Sequence, residues 1–88
     1  SLVRHLAVEL GSKGININTI SAGVVDTDAL KHFPNREEIL SNALQRTPLG
    51  RLTTPADVAD IALFLCSPLS KMIQGQVITV DGGYAVRG

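Results

Sequence analysis

The sequence predicts an α/β fold built on a parallel sheet, only part of which lies within this chain. The elements read from it run helix–strand–helix–helix–strand, and a strand, a helical crossover and a second strand imply a parallel pair with a right-handed connection. A parallel sheet needs helices on both faces, and two strands cannot make one stably. Composition points the same way. Of the 88 residues, 44% are hydrophobic and only 18% are charged. A chain this short buries only about 60% of its unfolded surface by itself. So apolar a composition implies either a piece of a larger core or a subunit that covers its surface against a partner.

The first helix spans Ser1–Leu10, because Leu2, Val3, Leu6, Ala7 and Leu10 recur at helical spacing with Arg4, His5 and Glu9 between them. Gly11 stops it. After the turn Ser12-Lys13-Gly14, the short β-branched run Ile15–Ile20 reads as a strand, and Ser21-Ala22-Gly23 breaks it off. A loop from Val24 to Asn35 follows, with room for one helical turn at Asp28–His32. Asn35 is placed to cap a second helix, with Glu38 completing a capping-box pattern and Ile39, Leu40, Ala43 and Leu44 as its apolar stripe. Thr47-Pro48-Leu49-Gly50 closes it. Thr54 caps a third helix, with Pro55 at the first position, Asp57 at the third, and Val58, Ile61, Ala62 and Leu65 as its buried face. Ser67-Pro68 ends that helix, and Gln76–Val80 forms the second strand, ended by Asp81-Gly82-Gly83. Residues 1–88 read as a single segment with no repeat and no interdomain linker.

Charge and cysteine content narrow the function classes. Eight basic residues balance eight acidic ones, so no basic field attracts phosphate backbones and no nucleic-acid partner is expected. Cys66 is the single cysteine, which excludes an intrachain disulfide and fits a reducing, cytoplasmic setting. No apolar run approaches the roughly 20 residues that span a bilayer, so no membrane partner is expected either. Ser1-Leu2-Val3-Arg4-His5 lacks the charged start and long apolar stretch of a signal peptide. There is no initiator Met, as expected of a truncated or processed chain.

The loop Ser21–Thr27 is the first candidate site. It leaves the C-terminal end of a predicted strand, where open parallel sheets bind their ligands. Gly23 would let backbone approach a flat ring, free N–H and C=O groups could pair with a carboxamide, and the Thr27 hydroxyl could reach that amide or a phosphate. The plain alternative is an ordinary strand-ending turn. Asp26 and Asp28, with no His or Cys beside them, make a poor metal set and read as solvated loop acids. His5 and His32 have no third group at a spacing that would orient them for catalysis, so they read as surface residues. No helix is predicted after Asp81-Gly82-Gly83, so that motif lacks anion-binding geometry and reads as a structural turn. Arg51 is expected to anchor loop carbonyls. Ala29, Leu30 and Phe33 are apolar where a loop should be polar.

Four blocks then line up along the chain. They are Leu6-Ala7-Val8-Glu9-Leu10; Ile17-Asn18-Thr19-Ile20-Ser21-Ala22-Gly23-Val24-Val25-Asp26-Thr27; Pro48-Leu49-Gly50-Arg51 with Thr54-Pro55-Ala56-Asp57-Val58-Ala59; and Gly75-Gln76 with Val80-Asp81-Gly82-Gly83. In this order and at these spacings they resemble the C-terminal third of the short-chain dehydrogenases/reductases, nearly end to end. The stretch from Asp26 to Glu38 is most similar to one branch, the NADPH-dependent enoyl-acyl-carrier-protein reductases. The runner-up branch is the 3-oxoacyl-carrier-protein reductases. The family's usual proline before the glycine is Ala22 here, which relaxes the turn.

The resemblance implies a C-terminal fragment of a Rossmann-like, doubly wound parallel sheet. It implies an NADPH or NADH cofactor, an acyl thioester substrate in fatty acid synthesis and a homo-oligomer. It places Ser21, Gly23, Val25 and Thr27 at the cofactor, with the Val25 backbone on the nicotinamide carboxamide. Ala29, Leu30 and Phe33 would lie in a lid over the acyl chain; packing of the three onto the sheet is the alternative. Asp81-Gly82-Gly83 would lie near a subunit interface. The family's catalytic pair, Y-x-x-x-K, is absent: Tyr84 is the one tyrosine and no lysine follows it. The phosphate loop G-x-x-x-G-x-G is absent too. Ser1–Leu10 would be the second half of the helix that carries the tyrosine and lysine. A competing expectation of another class is a non-catalytic fold fragment that self-associates through its apolar helix faces.

Overall fold

The computed structural model of the protein describes residues 1–87. Helix α1 (Leu2–Gly11) leads to strand β1 (Thr19–Ala22), a 3-10 helix (Asp28–His32), α2 (Arg36–Gln45), α3 (Pro55–Leu65), a short 3-10 turn (Pro68–Ser70), β2 (Val77–Val80) and α4 (Tyr84–Arg87). The strands are parallel, in the register Thr19 to Val77 through Ala22 to Val80. The predicted α/β order is therefore present, with the helical turn at Asp28–His32 where the sequence placed it.

Capping explains two of the helix starts. The Ser1 hydroxyl accepts from the Arg4 N–H at 3.2 Å, so Ser1 caps α1 instead of belonging to it. Thr54 and Asp57 form the full capping box of α3, with Pro55 as its first residue. The cap read at Asn35 is different. Asn35 does sit at the N-cap of α2, but its side chain makes no capping bond, and the box with Glu38 does not form. Its backbone, at φ −105° and ψ 27°, is far from the extended conformation that a capping side chain needs.

The first strand is shorter than the sequence indicated and ends two residues later, so Ser21 and Ala22, paired with Thr79 and Val80, belong to it instead of breaking it off. Ile15–Asn18 lies outside β1, although these residues do face the second strand segment. One backbone bond crosses here, from the Gly75 N–H to the Ile17 carbonyl at 2.8 Å, and side-chain amides supply the rest. Gln74 accepts from the Ile17 N–H at 2.8 Å and donates to the carbonyls of Ala7 (2.8 Å) and Ile15 (3.0 Å). Asn18 donates to the Ile73 carbonyl at 3.0 Å and accepts from the Gln76 N–H at 3.0 Å. Asn16 donates to the carbonyls of Lys71 (3.1 Å) and Ile73 (2.9 Å). The reason lies at Gly75. Its φ of +70° turns the partner backbone away from a regular ladder. A Cβ there would also lie 3.1 Å from the Cβ of Ala7, so α1 packs directly on this turn.

Little of the apolar surface is enclosed. Ala7 and Ala43 are the buried hydrophobic residues among those described, whereas Leu2, Val8, Leu49, Leu63, Leu69 and Met72 are all more than two-thirds exposed. The expected apolar faces of α2 and α3 are half-buried at best, apart from Ala43. The accessible surface is 6362 Å² for a mass of 9.3 kDa. A compact protein of that mass shows about 5,000 Å². The radius of gyration, 15.6 Å, likewise exceeds the roughly 12 Å of a compact chain of this length. No helix among the described residues is long and apolar enough to cross a membrane.

Candidate functional site

The site is built where the two parallel strands end together. Beyond the last pair, Ala22 and Val80, the Gly23 N–H donates to the Val80 carbonyl at 3.1 Å. The buried Thr53 hydroxyl donates to the same carbonyl at 3.0 Å. A Cβ on Gly23 would meet the Asp81 Cβ at 2.9 Å, the Asp81 Cα at 3.1 Å and the Thr53 Oγ1 at 3.2 Å. Gly23 is thus required by the closeness of the two strand ends. The position a side chain would take at Gly23 therefore faces protein.

The loop that leaves this junction is open. Ser21 is exposed at the end of β1, and Val24 and Val25 are half-buried. No backbone–backbone hydrogen bond engages Val24, Val25 or Asp26 among the described residues. Unpaired main-chain groups at the C-terminal end of a parallel sheet are available to a polar, flat ligand. Thr27 is exposed, and its side chain makes no capping bond to the 3-10 helix that it precedes. Val25 and Thr27 therefore share one open loop, and Ser21 lies within β1, paired with Thr79, just before it.

Asp26 differs from the solvated acid expected. Its carboxylate takes a two-point ion pair from Arg36, with Arg36 Nε donating to Oδ1 at 3.2 Å and Nη2 to Oδ2. Both side chains are about one-third exposed or slightly more. Asp28 does lie in solvent, paired with Lys31 at 3.0 Å. The pair at Asp26 had no sequence signal, because ten residues and a 3-10 helix separate the partners. Ala29 and Phe33 are exposed and Leu30 is half-buried, so Ala29 and Phe33 do not pack away against the sheet.

Asp81-Gly82-Gly83 also differs from expectation. Helix α4 follows it at once, and the Asp81 carboxylate accepts from the N–H groups of Gly83 and Ala85, each at 2.9 Å. These donors are occupied by protein, so the motif is a structural turn for that reason and not for want of a helix. Leu49 N–H donates to the Gly82 carbonyl at 3.1 Å, and a Cβ on Gly82 would lie 2.8 Å from the Thr47 Cγ2. Arg51 touches one loop carbonyl, that of Leu52 at 3.2 Å, but its main partner is Asp57, gripped at 2.7 and 2.9 Å. That fork, then the Thr54 N–H and hydroxyl, hold the Asp57 carboxyl well below the usual carboxylate range. Tyr84 has Arg46 over its ring at 4.8 Å. His5, His32 and Cys66 are exposed.

A concavity of about 670 Å³ lies elsewhere, among Leu49, Arg51, Asp57, Ile61, Ile78 and Val86. It includes none of the residues of the Ser21–Phe33 segment. Of its charged groups, Arg51 and Asp57 are paired with each other and Asp81 is bonded to backbone N–H groups, and its apolar lining belongs to the exposed surface described above.

Known proteins place the chain. A family model described as Enoyl-(Acyl carrier protein) reductase matches residues 1–85. The 7alpha-hydroxysteroid dehydrogenase of Escherichia coli K12 is 49% identical over 82 residues, which is 93% of this chain and 32% of that protein. The 3-oxoacyl-[acyl-carrier-protein] reductase FabG of Chlamydia muridarum is 45% identical over 82 residues, 93% of this chain and 32% of that one. The crystal structure of the Bacillus cereus enoyl-acyl carrier protein reductase with NADP+ and indole naphthyridinone superposes with a TM-score of 0.89 at 42% identity. It is matched over 98% of this chain and 34% of its own. The chain belongs to the short-chain dehydrogenase/reductase family and has that family's Rossmann-like α/β fold. It spans about a third of the length of the curated relatives it matches.

Proposed function

We propose that this chain is the nicotinamide-side loop and substrate lid of an NAD(P)H-dependent oxidoreductase that reduces an enoyl-acyl-carrier-protein. The observation that carries the reading is the open loop at the strand ends, with unpaired backbone at Val24–Asp26 and an uncapped Thr27 hydroxyl. When bound, the reduced nucleotide supplies a hydride to the β-carbon of the enoyl thioester. The chain's own part is to hold the carboxamide side through the Val25 backbone and the Thr27 hydroxyl, with Ser21 and Gly23 setting the loop's departure. The exposed Ala29 and Phe33, with Leu30, cover the acyl chain and exclude water. The proton donor is not among these residues, because the single tyrosine, Tyr84, is engaged by Arg46 and has no lysine four positions on. The exposed helix faces suit assembly into a homo-oligomer.

A second reading, reduction of a 3-oxoacyl thioester or a ring ketone, is favoured by the higher identity to the 3-oxoacyl reductase and hydroxysteroid dehydrogenase relatives. Turnover of crotonyl, acetoacetyl and 7-oxosteroid substrates by the full-length protein separates the readings. The cofactor placement is tested there by calorimetry with NADPH and NADH. A net hydrogen bond is worth about 0.5–3 kcal/mol according to its partner's charge, so Thr27→Ala should weaken binding about 3- to 100-fold. Thr27→Ser should lose much less. Unchanged affinity in Thr27→Ala, with melting equal to the parent, would make the segment a plain strand-ending turn.

A further inference from the structure

We propose that the Asp26–Arg36 ion pair is a latch that fixes the nicotinamide-side loop to the start of α2, directly after the lid segment, so that Arg36 acts as a positioning residue for nucleotide binding. The proposal rests on the reading of Val25 and Thr27 as cofactor contacts, and it adds what holds them.

The loop has no ladder to hold it. Between the Gly23 N–H bond to Val80 and the Thr27 carbonyl, which accepts from Leu30 N–H at 3.0 Å, no backbone–backbone hydrogen bond engages residues 24–26. Its other tie is the Asp26 side chain, which projects from the one residue that lies between Val25 and Thr27. Arg36 takes both carboxylate oxygens with two nitrogens of a planar fork. A two-point bond of this kind fixes orientation as well as distance. Fixing Asp26 limits rotation of the peptide groups on either side of it, and these are the groups assigned to the ligand.

The location of Arg36 reinforces the pairing. It is the first residue of α2, at the positive end of that helix, where a cation is disfavoured and a carboxylate is favoured. Asp26 brings the carboxylate to that end and offsets the misplaced charge. The Arg36 N–H meanwhile donates to the Phe33 carbonyl at 3.2 Å. One residue thus grips the lid through its backbone and the cofactor loop through its side chain. The pair closes residues 26–36 into a ring that contains Ala29, Leu30 and Phe33. Loop order and lid position are coupled by this geometry, and a preordered loop binds its ligand at lower entropic cost.

The test is a double-mutant cycle in the full-length protein with Asp26→Asn, Arg36→Gln and the pair together, read by calorimetry with NADPH and, in parallel, NADH. Each single variant should weaken nucleotide binding by about 2- to 5-fold, the range of a partly exposed ion pair. The double variant should be no worse than either single one. Arg36→Lys, which keeps the charge and loses the fork, should recover part of the affinity. In steady state the loss should fall on the KM for nucleotide more than on kcat. In the nucleotide-free protein, amide exchange should quicken in Arg36→Gln at Leu30, Phe33 and position 36, whose N–H groups are hydrogen-bonded, and stay unchanged in α1. Additive effects in the cycle, or exchange and affinity equal to the parent in Arg36→Gln, would overturn the latch. If Thr27→Ala also binds as the parent does, the cofactor reading itself falls and the latch with it. If Thr27→Ala weakens binding while Arg36→Gln does not, the cofactor loop stands and only the latch is lost.

Discussion

Gly23→Ala tests whether the closeness of the strand ends governs this region. The added methyl would sit 2.9 Å from the Asp81 Cβ and 3.1 Å from its Cα. Carbon atoms in good contact lie about 3.5–4.0 Å apart, so several tenths of an ångström must be found. The neighbours cannot easily supply it. Asp81 is pinned by its two bonds to Gly83 and Ala85, and Thr53 by its bond to the Val80 carbonyl. The obstacle is main chain and the root of a side chain, not a flexible tip. Overpacking of this kind costs about 1–3 kcal/mol. In a protein of 150–250 residues that lowers the melting temperature by about 2–4 °C per kcal/mol. Chemical denaturation of the full-length protein should show the same loss as a lower midpoint with an unchanged slope. Gly23→Ser and Gly23→Val should be progressively worse. If Gly23→Ala melts with the parent yet binds NADPH more weakly, the glycine serves the ligand and the packing argument is refuted.

Two further tests address the frame around the site. Gln74→Met keeps length and volume but removes three hydrogen bonds, to Ile17, Ala7 and Ile15. At about 0.5–1.5 kcal/mol each it should destabilise by about 1.5–4.5 kcal/mol, read by denaturant midpoint; a loss below about 0.5 kcal/mol would show that the amide is not a brace. Asp57 has a carboxyl held below its unfolded value, so its pairing with Arg51 and Thr54 stabilises the fold above the unfolded pKa of about 3.9. That stabilisation is lost as pH falls below this value towards the lowered folded one. Asp57→Asn should therefore melt below the parent at neutral pH, and the gap should narrow in acid; a gap that stays constant from pH 7 to pH 3 would rule out a contribution from the charge.

Local signals carried much of the fold. Thr54-Pro55-Ala56-Asp57 announces its helix because all its capping partners lie within three residues. The turn at Asp28–His32 is equally local, whereas Gly11 does not stop its helix: it is the last residue of α1, and Ser12 is the cap. The order of elements, and with it the parallel sheet, follows from short-range periodicity, and strand direction alone marked the loop beyond the first strand as a candidate site. What the sequence could not disclose depends on groups far apart in the chain. Ile15–Asn18 has strand composition, yet Gln74, Gly75 and Gln76 decide that side-chain amides replace most of its ladder. Asn35 has the residue type of a cap, but the turn at Pro34 leaves its backbone in the wrong conformation. Gly23 could be seen to be small; that Asp81 and Thr53 require it to be small emerges only when the two strand ends meet. Asp26 looked like a solvated acid because Arg36, ten residues on, reaches it only after the intervening chain has folded back. Periodicity and capping are fixed by neighbours within one turn, whereas contact distance and ion pairing are set by which segments the tertiary fold brings together.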